Sequence, residues 1–230
     1  MRAIPKGAEP TALRAHRATP GAVFDGADFT PVKTEIRVAL LREQLWVCAY
    51  CMGRIVPDEQ AQPTRPDGRP VPAMKVEHWQ PRSRYPALGL SWTNLLGVCL
   101  GGIGKAPSEQ TCDARKADAE IALNPLDAAH VATLHCTSNG RLTSTAPRFQ
   151  IDLEDRLGLN HRVLVEGRRA LLDRELSRLG AAHPGGSLSP GALRAAVGAL
   201  ETARGGQLCE FGGVLRLWAR KARKRHGETW

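Results

Sequence analysis

Several features that would place this chain in a special class are missing from its 230 residues. No run of about 18 apolar residues occurs, so the sequence holds no candidate membrane-spanning helix. No apolar stretch follows the first basic residues, so we expect no secretory signal and a cytoplasmic location. Aromatic residues make up only 5% of the chain, which argues against extensive stacking on bases. Repeats are absent too, and an apolar content of 42% is sufficient for an ordinary core.

Acidic residues are few relative to basic ones. The chain has 32 Lys and Arg against 23 Asp and Glu, a net charge of +9. This balance favours a polyanionic partner, nucleic acid before a membrane surface. Residues 216–225 carry six of the basic residues and no acid. They form either a solvated helix end, where cations suit the helix dipole, or a backbone contact with nucleic acid. The candidate contacts in this tail are Arg220, Lys221, Arg223 and Lys224.

Cysteine is scarce, and four of the six cysteines form a pattern typical of a metal site. Cys48 and Cys51 make a C-x-x-C motif, in which a tight turn can aim two thiolates at one tetrahedral cation. Cys99 and Cys112 follow, and the glycines between them ease the folding back of that loop. Three disulfides are the alternative, but the chain is neither small nor marked for export. We therefore predict a structural zinc site and interpret the other two cysteines as buried residues.

The hydrophobic pattern predicts an α+β fold in three parts. Residues 1–30, rich in Pro, Gly and Ala, are expected to form an extended arm. Residues 31–120 are predicted to form the core with the zinc site, and residues 121–230 a hairpin and a helical region. The predicted helices cover 31–46, 112–117, 160–180, 193–203 and 214–225. A strand is expected over 74–79 and a hairpin over 134–145, around Asn139-Gly140.

A group of polar residues is interleaved with the cysteines. Glu77 and His78 end the predicted strand, Asn94 interrupts a second apolar stretch, and Asp113 directly follows Cys112. A histidine can accept a proton from water while a neighbouring carboxylate holds a divalent cation. Oxygen ligands suit Mg²⁺ or Mn²⁺, and such a cation offsets the charge that phosphodiester cleavage develops.

Plainer interpretations of these residues stay open. His78 could simply pack in the strand, Glu77 could orient His78 without touching metal, and Asp113 could be a helix N-cap. Asn94 would shape its own turn under either interpretation. Four nearby basic residues either contact phosphate or form ordinary surface: Arg82, Arg84, Arg115 and Lys116.

The combined pattern resembles the HNH endonuclease motif on a ββα-metal scaffold. The resemblance covers residues 45–118, through CAYC (48–51), VEHWQPRSRYPALGLSWTNLLGVC (76–99) and CDARK (112–116). It implies that His78 is the general base and that Asn94 holds the base-bearing loop. Glu77 would be a catalytic metal ligand, and Asp113 stands where many members have His or Asn. The four patterned cysteines correspond to structural zinc ligands, so the resemblance implies a zinc-stapled HNH core.

The longer frame is similar to HNH nucleases found beside ATPases in retron and Septu-type antiphage systems. The similar segments are IPKG, MKVEHWQP, CDARKAD and DRLGLNHRVLVEGRR. This implies an effector that cuts DNA in antiphage defence, with a neighbouring ATPase as partner. The residues themselves do not distinguish DNA from RNA. A non-catalytic zinc-knuckle module that binds nucleic acid, or a regulatory subunit of an ATPase complex, is the alternative.

Overall fold

The computed structural model describes residues 1–26, 28–56, 73–183 and 188–224, with side chains as far as residue 220. In this part of the chain the helices are α1 (Thr11–Arg17), α2 (Phe29–Gln44), α3 (Cys112–Lys116), α4 (Ala128–Ala132), α5 (Pro147–Ile151), α6 (Arg162–Ala182), α7 (Pro190–Glu201) and α8 (Val214–Lys224). The strands are β1 (Lys75–His78), β2 (Leu95–Val98), β3 (Leu134–Cys136) and β4 (Leu142–Ser144). The loop predicted at 57–72 and the helix break predicted at 184–186 lie outside the described residues.

Strands β1 and β2 form an antiparallel hairpin that ends at the predicted polar residues. Glu77 pairs with Leu96, and His78 pairs with Leu95. Strand β2 is buried along its whole length, which explains why its sequence is almost entirely apolar. A short helix, α3, follows in the chain, so the local order is two strands and then one helix.

Helix α2 packs against this hairpin. It begins at Phe29, slightly before the predicted start at residue 31, and its N-cap is Asp28. Ile36 and Leu40 on its apolar face are fully buried, and each such burial contributes about 1.5–3 kcal/mol to stability. The helix therefore covers one side of the hairpin with its apolar face.

The side chain of Gln44 joins the end of α2 to strand β2. Its amide nitrogen donates to the Gly97 carbonyl at 2.6 Å, and its oxygen accepts from the Gly97 amide at 2.7 Å. The same nitrogen donates to the Val47 carbonyl at 2.9 Å. Gln44 is 1% exposed, so it pairs backbone groups that would otherwise be buried without partners.

The prediction of a wholly extended arm over residues 1–30 is wrong, because α1 forms within it. Leu13 of α1 is fully buried, in a cluster with Phe24 and Phe29 beside α2. Pro and Gly content suggested an open chain, but burial of these apolar side chains stabilises a folded segment.

The C-terminal part contains the predicted hairpin and helices. Strands β3 and β4 pair antiparallel, with Cys136 opposite Leu142, and Gly140 in the turn has a φ of 84°. Helix α8 packs on β3, and it also contacts α6 and α7. Two short helices, α4 and α5, have no counterpart among the predicted helices. After α5 the helix continues as a π-turn over Asp152–Arg156, and the Asp152 carboxylate accepts from two backbone amides of residues 122 and 123.

The C-terminal part packs directly on the segment that carries Cys48 and Cys51. The Phe211 amide donates to the Met52 carbonyl at 3.0 Å, and the Leu208 amide donates to the Leu45 carbonyl at 3.0 Å. One buried cluster includes the C-x-x-C segment together with residues of α6, α7 and α8. The two parts of the chain therefore share a core. No helix among the described residues has the length and apolar character needed to cross a membrane.

Candidate active site and metal centre

The four patterned cysteines come together, as predicted. The sulfurs of Cys48, Cys51, Cys99 and Cys112 lie within 4.8 Å of one another, and three of these residues are buried. The Cys48–Cys112 and Cys51–Cys99 sulfur pairs are each 3.8 Å apart. A tetrahedral ion with Zn–S bonds near 2.3 Å places its sulfurs about 3.8 Å apart. This cysteine cluster can therefore hold a metal ion such as zinc.

Turns at both ends of the pattern aim the sulfurs inward. In the first, the Cys48 amide donates to the Gly53 carbonyl at 2.9 Å, and the Gly53 amide donates to Cys51 Sγ at 3.2 Å. In the second, Gly101 has a φ of 57°, and a Cβ there would lie 2.1 Å from the Thr111 carbonyl oxygen. Only glycine fits this close approach, which brings the loop back to Cys112.

The backbone conformation of Cys112 and the pKa of Cys48 both depend on neighbouring residues. Cys112 has a φ of 54°, a left-handed conformation that a residue with a side chain adopts only when its surroundings hold it there. Burial acts to raise the pKa of the Cys48 thiol, but hydrogen bonds from the other three thiols outweigh it and hold that pKa well below its usual range. The thiolate is the form that binds a metal.

A cleft of about 580 Å³ lies beside the β1–β2 hairpin. Glu77 and His78 reach it from β1, and Asp113 reaches it from α3. The structure therefore brings together the three residues predicted for acid–base and metal chemistry, although Asp113 is far from the other two in the chain. Because Asp113 directly follows Cys112, the cysteine cluster positions one of these acids.

Two lysines and a tyrosine surround the acids of the cleft. Lys116 Nζ lies 2.8 Å from Glu77 Oε1, and the Tyr50 hydroxyl donates to the same oxygen at 3.0 Å. Lys75 forms an ion pair with Asp113. Tyr50 lies between the two cysteines of the C-x-x-C motif, so it links the cysteine cluster to the cleft.

The carboxyl groups of Glu77 and Asp113 are within hydrogen-bonding reach of each other. Burial, and then the neighbouring Asp113, raise the pKa of Glu77 to about 8, although Lys116 acts in the opposite direction. Burial also acts to raise the pKa of Asp113, but Glu77 and Lys75 outweigh it and lower that pKa. Two adjacent carboxylates suit a Mg²⁺ ion that keeps several waters and takes further ligands from a substrate. Among the residues that the structure describes, the only group of three or more metal-ligating side chains is the cysteine cluster.

His78 is held by the backbone and by an aromatic ring. Its Nε2 lies 2.9 Å from the Gly89 carbonyl oxygen. A carbonyl oxygen only accepts, so Nε2 carries the proton and Nδ1 is the basic nitrogen of the neutral ring. The ring of Phe24 packs edge-on to His78 at a centroid distance of 4.5 Å. Burial, together with the nearby cations of Arg82 and Lys116, lowers the pKa of His78 to about 4, so the ring is neutral at pH 7.

Asn94 closes the loop that follows His78. Its side-chain oxygen accepts from the Gln80 amide at 2.8 Å, and its nitrogen donates to the Gln80 carbonyl at 3.0 Å and the Leu88 carbonyl at 3.2 Å. The Trp79 amide donates to the Asn94 carbonyl at 3.0 Å. Asn94 is 3% exposed, so it supports the loop from its buried side. It is not among the residues that line the cleft.

The basic residues near the cleft that were predicted to contact nucleic acid differ in their exposure and in their partners. Arg82 lines the cleft. Arg84 is exposed and pairs with Glu120 at 3.0 Å, and Arg115 donates to the Asp155 carbonyl at 3.0 Å. The expectation that Lys116 lies on the helix surface is wrong, because its side chain is 1% exposed and its Nζ lies 2.8 Å from Glu77 Oε1. Contact of Lys116 with phosphate stays a prediction.

The predicted basic tail is described only in part. Arg220 donates to the Val131 carbonyl at 3.2 Å and is partly buried, so it supports the packing of α8. Arg216, at the start of the tail, pairs with Glu201. The side chains of Lys221, Arg223 and Lys224 lie outside the described residues.

Several residues of the cleft were not predicted from the sequence. Lys33 and Arg37 line it from α2, and Phe24 and Asp25 line it from the preceding loop. No local motif marks these residues, because they reach the cleft only through the packing of α2 on the hairpin. Lys75 was also missed, although its position two residues before Glu77 in a strand places both side chains on one face.

Comparisons with known proteins do not assign the chain to a family. No family model matches the chain, and no match is found among curated proteins. The resemblance to HNH nucleases therefore rests on the motif residues of the sequence.

Proposed function

We propose that this chain is a metal-dependent endonuclease of the HNH type that hydrolyses phosphodiester bonds in DNA. The observation that carries the proposal is the convergence of Glu77, His78 and Asp113 on one cleft. Two strands and a helix bring them there, and the helix begins at a ligand of the cysteine cluster.

His78 has the role of general base in this proposal. The Gly89 carbonyl holds Nε2–H, so the lone pair of Nδ1 can take a proton from the attacking water. Asn94 keeps the loop after β1 in shape, through its bonds to Gln80 and Leu88. The imidazole is thereby fixed before substrate arrives, which reduces the reorganisation needed for reaction.

Glu77 and Asp113 would hold Mg²⁺ or Mn²⁺ in this proposal. Their carboxyl groups are adjacent and face the same cleft, which agrees with the demand of these ions for oxygen ligands. The ion supplies stabilisation of the charge that develops on the phosphate oxygens. We also propose that the cysteine cluster holds a structural zinc, because four thiolates leave no open position for water.

A plasmid-nicking assay with added Mg²⁺ or Mn²⁺ tests the function. We expect the zinc-loaded protein to convert supercoiled plasmid to the nicked form, and His78→Ala to lower the rate about 100-fold or more. His183→Ala is the matched control, because His183 lies at the end of α6 and bonds to the Leu179 carbonyl. Equal nicking by the wild type and by folded, zinc-loaded His78→Ala would assign the cleavage to a contaminant and end the proposal.

One observation favours a second candidate, a zinc module that binds nucleic acid without cutting it. Lys116 Nζ already lies 2.8 Å from Glu77 Oε1, as expected of a structural pair that needs no added cation. In that case Mg²⁺ would not raise the affinity for DNA or cause nicking at any concentration. A rise in either quantity that Glu77→Gln abolishes would favour the nuclease.

The setting that we propose is antiphage defence in the cytoplasm, with a neighbouring ATPase as partner. Support comes from the similar segments IPKG, MKVEHWQP, CDARKAD and DRLGLNHRVLVEGRR. Nicking should then rise when the ATPase encoded beside this chain is added with ATP. Full activity of the isolated protein, unchanged by that ATPase, would argue against an obligatory partner while leaving the nuclease proposal intact.

A further inference from the structure

An acidic side chain of the protein itself lies between two cations at the cleft. Asp25 Oδ1 is 2.6 Å from Lys33 Nζ, and Asp25 Oδ2 is 3.4 Å from Arg82 Nη2. Lys33 belongs to α2, and Arg82 follows β1. Two separate elements therefore place a positive charge close to the same point, and the Asp25 carboxylate lies between these charges.

This charged group lies next to His78. Phe24, the residue before Asp25, packs edge-on to the His78 ring at 4.5 Å. The guanidinium of Arg82 lies 4.8 Å from the centre of the same Phe24 ring and donates to the Phe24 carbonyl at 3.1 Å. Lys33, Arg82 and His78 all line the one cleft, so an anion held by the two cations would lie beside the histidine.

A third cation of the cleft has a hydrogen-bond donor without a partner. Arg37 lies one helical turn after Lys33 on α2, and it also lines the cleft. Its Nε is buried and makes no hydrogen bond. An unpaired buried donor costs free energy unless a ligand or water satisfies it. A guanidinium matches the oxygens of a phosphate group in geometry as well as charge.

The internal carboxylate is weakly held. The Asp25 side chain is 44% exposed, and those of Lys33 and Arg82 are 28% and 43% exposed. Ion pairs in such exposed positions contribute about 0–1 kcal/mol. A polyanion can therefore displace this carboxylate at little cost.

We propose that Lys33, Arg37 and Arg82 form a subsite for a backbone phosphate of the nucleic acid, and that Asp25 occupies this subsite in the free protein. The identity of the ligand rests on the proposed function, whereas the cation subsite is an arrangement of described residues. Asp25 acts as an internal competitor, so it weakens binding of any nucleic acid that does not displace it.

Binding of a short fluorescein-labelled DNA duplex tests the subsite without any cleavage. Fluorescence anisotropy is measured on the zinc-loaded chain with no added Mg²⁺ or Mn²⁺. Asp25→Asn should tighten binding about two- to fivefold, because the competing charge is lost. Lys33→Gln and Arg82→Gln should each weaken binding and lower the slope of log Kd against log salt by about one.

Asp28→Asn is the matched control, since it removes the same charge from an exposed residue that does not line the cleft. Its affinity should change less than that of Asp25→Asn. Unchanged or weaker binding by folded Asp25→Asn overturns the subsite, as does an absence of measurable binding by the wild type. Nicking that persists in His78→Ala while Asp25→Asn still binds more tightly overturns the nuclease proposal alone.

Discussion

At the scale of single residues, the structure differs most from the sequence predictions in the burial of charged side chains. Lys116 ends a short helix and is followed by Asp118 and Glu120 among small residues, so its sequence position suggests solvent exposure. In the structure its ammonium group is buried, 2.8 Å from Glu77 and 3.1 Å from the His78 carbonyl. A buried carboxylate requires such a partner, but which cation supplies it depends on how α3 packs on β1.

Arg168 provides a test of the same principle away from the cleft. It is fully buried, and it donates to the Gly140 and Leu159 carbonyls at 2.7 Å each. Arg168→Met leaves both carbonyls without their donor, at about 1–3 kcal/mol each. We expect the free energy of unfolding, measured by urea denaturation, to fall by at least about 2 kcal/mol.

Arg169→Met is the matched control for this prediction. Arg169 is the next residue on α6, with a side chain 64% exposed and a partner in Asp173 at 3.4 Å. Exposed pairs of this kind contribute about 0–1 kcal/mol, so the stability of the control should stay close to the wild type. Equal stability of the two variants would contradict the structural role that we assign to Arg168.

At the scale of elements, the loop between β1 and β2 decides whether His78 is held in place. The loop has little regular structure apart from short 3₁₀ turns. Backbone hydrogen bonds between residues 81 and 94 form its turns, and Asn94 bonds to Gln80 twice and to Leu88 once. One side chain at the end of the loop thus joins its start and its middle.

Asn94→Ala should loosen this loop without unfolding the protein. Loss of the hydrogen bonds removes the partner of part-buried backbone groups of Gln80 and Leu88, at about 0.5–1.5 kcal/mol each. We expect amide hydrogen exchange over residues 79–91 to accelerate at least about tenfold, and the nicking rate to fall with it. Hydrogen-exchange mass spectrometry measures the first effect. The exposed neighbour Thr93 offers a control in Thr93→Ala, and identical exchange in the two variants would refute the clamp.

At the scale of the whole molecule, the cysteine cluster joins parts that are distant in the chain. Its residues belong to the same buried cluster as Leu172 of α6 and Val214 of α8. Tyr50 extends from it to Glu77 at 3.0 Å. A metal bound there would therefore stabilise the C-terminal helices and the cleft together.

Removal of this metal should unfold the chain as a unit. We expect about one zinc per chain by elemental analysis. We also expect Cys51→Ser to lose both the metal and the thermal transition, since structural zinc contributes about 10–16 kcal/mol, comparable with the whole stability of a domain. Cys209→Ser is the control, because Cys209 is partly exposed and outside the cluster. Folded, stable Cys51→Ser with no zinc would show that the cluster is not a structural metal site.

The sequence by itself determined the local elements and the cysteine pattern. The 3.6-residue period marked α2 and the C-terminal helices, and Asn139-Gly140 marked the β3–β4 turn, because these signals act over a few residues. The spacing of Cys48 and Cys51 and the glycines after Cys99 also act locally, so the cluster could be predicted. Glu77 and His78 were found because they are adjacent at the end of a strand.

Only the tertiary structure decided what surrounds these residues. The partners of Glu77, the cations from α2 and the carboxylate of Asp25 come from segments whose sequences carry no mark of the cleft. The helix α1 within the predicted arm forms because Leu13 finds a buried place beside α2. Burial and charge pairing depend on which elements meet, and that is settled by the free energy of packing the whole chain and not by any short segment of it.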